Sequence, residues 1–332
     1  MTTSLESRTT ATSAPSTRRS ALSRVPWSSL TPVVALVTLV VVFSLVDSRF
    51  FQFENGLNIL RQSAVLLVLA MASTIVIMMG SIDLSVGSVL TLSAFIGAIL
   101  AGTTGSSTVL LLLPLIGAAC GLLNGLLVAY GRLPSFLVTL GLMYAFDGLA
   151  RYISGGRPLS VRPDGLIDVF GGSLGGFPTV VLWALLALAA AILLIRYTRF
   201  GRYMYALGGN EKAATLSGVP AKRYKLYAFI VAGVFAGLAG LLQLARARSA
   251  SPDMGEPFLL PAIAAVVMGG TPLSGGIGGP ARTVIGVLII AILGNGMVIA
   301  AVDPFLQNVV QGLVVIAAVA LTIDRRKLTL VK

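Results

Sequence analysis

Residues 80 to 88 read Gly80-Ser81-Ile82-Asp83-Leu84-Ser85-Val86-Gly87-Ser88, one carboxylate and three hydroxyls between two long apolar runs. An acid inside membrane-grade sequence is expensive to bury and is a functional candidate by default. Two roles fit it. Asp83 or Ser85 caps the helix that begins there by accepting a backbone N–H bond, which is the preferred reading, or Asp83, Ser85 and Ser88 border a polar route; the two are compatible. Two lone amides, Asn124 and Asn295, also sit within apolar runs. An unsatisfied polar group in hydrocarbon is costly, so each amide needs a partner. Helix-to-helix bonding is preferred over the alternative, a hydrated path on which neutral amides suit hydroxyl groups. Asp147 and Arg151, four residues apart, read as an ion pair across one helical turn rather than as a proton relay.

Other chemistries lack their parts. The chain has no histidine and a single cysteine, Cys120, so imidazole catalysis, a histidine-ligated metal and an intrachain disulfide are all excluded. Leu273-Ser274-Gly275-Gly276 imitates a signature of ATP-hydrolysing subunits, but no G-x4-G-K-[ST] phosphate loop exists to go with it. Those glycines are expected to make a tight reversal between spans. No cofactor is expected, and the chain is not read as an enzyme.

The elements that hold these residues are membrane helices. Mean hydropathy is +0.94, and 56% of the 332 residues are hydrophobic against 11% charged, far outside the soluble range. Uncharged runs such as 226–245, 283–302 and 304–323 have the roughly 20 residues that a helix needs to cross a bilayer. No polar/apolar alternation suggests a membrane β-barrel. The expectation is therefore an all-α polytopic membrane protein with about ten spans, near 32–46, 59–79, 86–101, 108–129, 134–150, 178–195, 226–244, 258–270, 283–302 and 305–323. With both termini on one side, that side carries 17 of the 24 Lys and Arg residues, which makes it cytoplasmic. The net charge of +12 is thus a topology signal, and no nucleic-acid partner is expected. Residues 1–30 read as a disordered cytoplasmic tail, 31–324 as the transmembrane domain, and 325–332 as a short cytoplasmic tail.

The halves repeat weakly. Leu123-Asn124-Gly125-Leu126 followed by Pro134 echoes Gly294-Asn295-Gly296-Met297 followed by Pro304. On the ten-span count the two copies run in opposite directions, an inverted repeat of spans two to five and seven to ten that suits alternating access. Gly117, Gly121 and Gly125 in the fourth span, and Gly233 and Gly237 in the seventh, are spaced for close backbone approach.

One polar stretch, 196–225, interrupts the apolar sequence and carries seven Lys and Arg residues. Within it Asn210, Glu211, Lys212, Ala213, Ala214 and Gly218 suit a short helix with a small-residue face for docking and charges at its edge. Such a loop gives a separate cytosolic engine a handle.

In combination these segments resemble the permeases of ribose-type carbohydrate ABC importers. The 80–88 segment is similar to that family's G-I-D-L-S-V-G-S signature, with Ser81 where a glycine is usual. Asn124-Gly125 with Pro134 to Gly141, Gly208-Gly209-Asn210-Glu211 with Ser217-Gly218, and Ile263 to Thr271 agree in order, and the likeness runs from about residue 35 to the end. Ala213, Ala214 and Gly218 also fall in register with the E-A-A-x3-G pattern of importer permeases, Lys212 holding the place of the acid. The family often reads E-L-D-A-I-A-A where this chain has Leu259-Leu260-Pro261-Ala262-Ile263-Ala264-Ala265, so two acids are missing near the outer mouth. The resemblance implies a pore of two permease subunits, this chain with a second copy or a paralogue, in the bacterial inner membrane. It further implies a cytosolic ABC ATPase docked on a coupling helix over 210–220, and an extracytoplasmic binding protein that delivers a monosaccharide or related polyol. The alternative is a secondary transporter coupled to protons or sodium through Asp83 and Asp147.

Overall fold

The computed structural model describes residues 27–162 and 164–322. The expected C-terminal tail and most of the N-terminal tail, with the basic residues in both, lie outside the described residues. Thirteen helices are described: α1 (Trp27–Val46), α2 (Phe53–Met78), α3 (Val86–Thr104), α4 (Leu113–Ala129), α5 (Ser135–Ser154), α6 (Gly165–Gly171), α7 (Thr179–Tyr197), α8 (Arg199–Gly209), α9 (Glu211–Leu216), α10 (Ala221–Ala247), α11 (Glu256–Met268), α12 (Pro280–Ile299) and α13 (Pro304–Thr322).

Seven segments are long and apolar enough to cross a membrane: α2, α3, 107–129 including α4, α5, α7, α10 and α12. The other three expected spans fall on α1, α11 and α13, whose apolar runs among the described residues are Thr31–Val46, Glu256–Met268 and Pro304–Ala317. The eighth is short for a local reason. Residues 251–255 before it form turns, and Gly270 after it takes φ +88°, so only 13 residues are helical.

Packing sorts the helices into a centre and a rim. α2 and α10 are apolar on every side, and every residue from Ser63 to Met78 is buried. A helix without a polar face needs protein or lipid all round it, and here protein supplies it. α5 and α7 lie at the rim, with exposed large apolar residues such as Leu137, Leu149, Leu186 and Leu193 on their outer faces, as a lipid-facing surface requires. The expected glycine spacing joins α4 to α10. A Cβ added at Gly117 would lie 2.1 Å from the Gly233 carbonyl oxygen, and one at Gly121 would lie 2.2 Å from that of Phe229. The two backbones touch, which only glycine permits at these positions.

Between α5 and α7 lies a segment that hydropathy did not anticipate. Asp164 caps α6 by accepting from the Leu166 and Ile167 amides, both at 3.1 Å. Two-residue strands pair Leu159–Ser160 with Ser249–Ala250 and Ser173–Leu174 with Phe177–Pro178. Trp183 Nε1 donates to the Val169 carbonyl, and Arg248 reaches Asp168 at 3.1 Å, so the segment is tied down at that end of the bundle.

Candidate functional site: a broken membrane segment and a docking loop

The chain leaves helical geometry between Met78 and Val86, and the signature residues meet in that break. Gly80 turns the backbone with φ +77°, a conformation suited to glycine. Asp83 accepts from the Ser85 amide at 2.8 Å and from Ser85 Oγ at 2.6 Å. Asn124 on α4 then donates Nδ2 to Ser85 Oγ at 2.7 Å. Asp83, Ser85 and Asn124 therefore form one buried hydrogen-bonded row linking the break to α4. Ser88 turns back to the Ser85 carbonyl at 2.8 Å.

This corrects the capping expectation. Ser85 is the N-cap of α3, but no side chain caps that helix, and the Asp83 carboxylate fixes the turn before it. The reason is local: Asp83 lies two residues before the N-cap, within reach of the Ser85 amide but not of the first helical turn. Two further hydroxyls hold the break from α5. Ile82 donates its amide to Ser135 Oγ at 3.2 Å, and Leu84 donates to Thr139 Oγ1 at 3.1 Å. Both lie in the Pro134 to Gly141 segment, but neither was assigned a role from sequence. The signal present was their i, i+4 spacing, which puts both hydroxyls on one face of α5.

Asn295 lies elsewhere. It donates Nδ2 to Asn55 Oδ1 at 2.9 Å, joining α12 to the start of α2, and Asn55 donates on to the Phe50 carbonyl. Both expected amides are thus buried and bonded across elements, but not to each other. Each keeps an Oδ1 without a protein partner.

The break borders two cavities. One of about 420 Å3 lies between α3, α5 and α11 and includes Ser88, Tyr144 and Glu256 in its wall. The other, about 510 Å3, is lined by Ser81, Ser135, Arg132, Lys222, Lys225 and Glu211. At the far end of α5, Arg151 pairs with Asp147 at 2.8 Å, as expected, and also with Asp253 before α11 at 2.6 Å.

The polar loop folds as two helices, α8 and α9. Asn210 caps α9 by accepting from the Ala213 amide at 3.0 Å, a sound reason for the helix to start there. Glu211 pairs with Lys225 at 2.7 Å, which returns the loop to the start of α10. The small-residue face divides. Ala214 turns inward and is buried against its own chain, whereas Lys212, Ala213 and Gly218 stay exposed; Gly218 has φ +88° and open space around it. Leu216, not anticipated, is 89% exposed at the tip.

The loop is seated tightly on the membrane bundle. A Cβ at Gly208 would lie 2.0 Å from the Met78 carbonyl and 2.3 Å from the Gly276 amide nitrogen, and Gly276 itself donates to Met78 O at 2.9 Å. Tyr205 donates to the Gly278 carbonyl at 2.8 Å. The glycines at 275, 276, 278 and 279, all with positive φ, make the expected reversal, and that reversal is wedged between α8 and the end of α2. α8 thus contacts the chain where the break begins.

The sequence matches a family of known proteins over residues 55–319, a family described as the permease component of the branched-chain amino acid transport system. The chain is 38% identical over 300 residues to the ribose import permease protein of Escherichia coli (strain K12), covering 89% of this chain and 93% of that protein. It is 40% identical over 304 residues to the ribose import permease protein of Bacillus subtilis (strain 168), covering 90% and 93%. To the D-allose transport system permease protein of Escherichia coli (strain K12) it is 36% identical over 298 residues, covering 89% and 91%. No solved structure matches. A buried break braced by hydroxyls, a loop seated on its origin, and matches over nearly the whole of both chains agree, and the chain belongs to this family of transport permease components.

Proposed function

We propose that the protein is the membrane-spanning permease subunit of an ATP-driven importer in the bacterial cytoplasmic membrane, carrying a monosaccharide or related polyol. Relatives named for ribose and D-allose, each matched over about nine-tenths of this chain, support a sugar rather than an amino acid as cargo. The engine is a separate cytosolic ABC ATPase, the sugar arrives on an extracytoplasmic binding protein, and two permease copies or paralogues enclose the path.

The observation that carries this reading is the seating of α8 and α9. A loop whose inner side is locked by Gly208 and Ala214 and whose outer side offers Lys212, Ala213, Leu216 and Gly218 has the form of a lever with a free grip. ATP binding and hydrolysis on that grip would bias two packings of the bundle, and the break at Asp83 to Ser88 is the element nearest the lever's foot. Asp83, Ser85, Ser88 and Asn124 form the bordering polar row in this reading, and Asn295 is a brace between α12 and α2. Against the ion-coupled alternative, Asp147 is already committed to Arg151.

The ten-span topology with an inverted repeat and cytoplasmic termini belongs to the same proposal. Helix starts recur with offsets of 167 to 170 residues in the pairs α2 and α10, α3 and α11, α4 and α12, α5 and α13. Gly87 and Gly255, near the starts of α3 and α11, abut each other's backbone, as counterparts beside a pseudo-twofold axis must. The three shorter apolar helices then complete the ten.

The test is reconstitution of the permease with its ATPase and binding protein in liposomes, measuring ATP-dependent uptake of D-ribose, D-allose and D-galactose. Uptake of one of them that needs all three components supports the reading. Uptake driven by an ion gradient without ATP would overturn it.

A further inference from the structure

We infer that the cavity between α3, α5 and α11 is the permease's own monosaccharide subsite, an inference that rests on the sugar-import reading. Its volume of about 420 Å3 falls within the roughly 300–1,000 Å3 of small-molecule pockets. Its wall has two characters. Leu259 and Leu260 make an apolar side, while Ser88, Tyr144, Asp147, Arg151 and Glu256 make a polar one.

The polar side holds unspent hydrogen-bonding capacity. Among the described residues neither the Tyr144 hydroxyl nor the Glu256 carboxylate has a hydrogen-bond or ion-pair partner, and Arg151 engages only Oδ2 of Asp147. Carboxylate oxygens accept hydrogen bonds, so they suit a ligand that is rich in O–H donors. The Tyr144 ring is 71% exposed and offers a flat apolar surface with a polar tip. A pyranose or furanose presents this combination: hydroxyls at its rim and a C–H face. The floor is Ser88, which donates to the Ser85 carbonyl three residues back in the broken segment, so a sugar seated here lies against the element that the α8–α9 lever reaches.

The experiment uses the importer in liposomes and reads two quantities, sugar moved per ATP and ATP hydrolysis stimulated by the sugar-loaded binding protein. Glu256→Gln and Tyr144→Ala are each expected to lower sugar moved per ATP about tenfold, equivalent to about 1.4 kcal/mol, while stimulated hydrolysis is retained. Tyr144→Phe, which keeps the ring, loses less, and Tyr152→Ala on the same helix outside the cavity changes neither quantity. Unchanged sugar per ATP in both Glu256→Gln and Tyr144→Ala would overturn the inference. So would uptake and hydrolysis falling together, or dispersal of the two permease copies on size exclusion, which would mark the cavity as packing between copies. No ATP-driven uptake of any sugar by the unaltered importer would sink the sugar-import reading itself, and this inference with it.

Discussion

Gly117 on α4 is the sharpest test of how the bundle is held together. A methyl group there would sit 2.1 Å from the Gly233 carbonyl oxygen and 2.8 Å from the Gly237 nitrogen, where ordinary contact begins at 3.4 Å. Both obstacles are backbone, so no rotamer change relieves them. α4 and α10 must part by about 1.3 Å or the helices must distort, and overpacking of this kind costs about 1–3 kcal/mol, at the upper end when backbone must move. Alanine also gains about 0.5–1 kcal/mol over glycine in a helix. The clash wins. Gly117→Ala is therefore expected to melt below the unaltered protein in detergent, followed by fluorescence-detected size exclusion on heating. Gly141→Ala, with nothing within 4 Å of its Cβ, is the control and should melt at or slightly above the unaltered protein. Because Gly233→Ala strikes the same contact from the other side, the double variant should lose less than the sum of the two. Equal melting of Gly117→Ala and Gly141→Ala would refute the close crossing of α4 and α10.

For coupling, Leu216→Asp and Ala213→Asp, both at exposed positions, should leave folding intact but abolish co-purification of the ATPase; retained ATPase and uptake in both would count against the docking face. Ala214→Asp, by contrast, should lower permease stability itself, read by the same melting assay, because Ala214 faces its own chain. Asn124→Leu, which removes the donor to Ser85, should cost about 1–3 kcal/mol of detergent stability, while Asn124→Ser keeps partial uptake; indistinguishable melting of Asn124→Leu would show the row to be idle. Lys212→Cys in a Cys120→Ser background should react only with membrane-permeant thiol reagents, and labelling by an impermeant reagent from outside intact cells would break the proposed topology.

Composition settled the class of this protein on its own, because a chain this apolar with so few charges has only the bilayer as a solvent. Among the described residues seven of the ten expected spans stand as helices long and apolar enough to cross, and the polar loop was visible as a long basic interruption. Glycine spacing showed that α4 and α10 would each pack closely. Which partner each met was decided by tertiary structure, since the same spacing serves any neighbour. The same holds for the amides. That Asn124 and Asn295 would be buried and paired follows from the cost of an unsatisfied group in hydrocarbon, but Ser85 and Asn55 are 39 and 240 residues away and only the fold brings them near. Leu216 stood in no pattern, and Ser135 and Thr139, though inside the Pro134 to Gly141 segment, carried no assigned role, because a single leucine or hydroxyl takes its meaning from what stands opposite it. The seating of the loop was illegible for a like reason. Gly208, Gly276 and Met78 belong to three separate stretches, and only the fold brings their backbones into contact beside the broken segment.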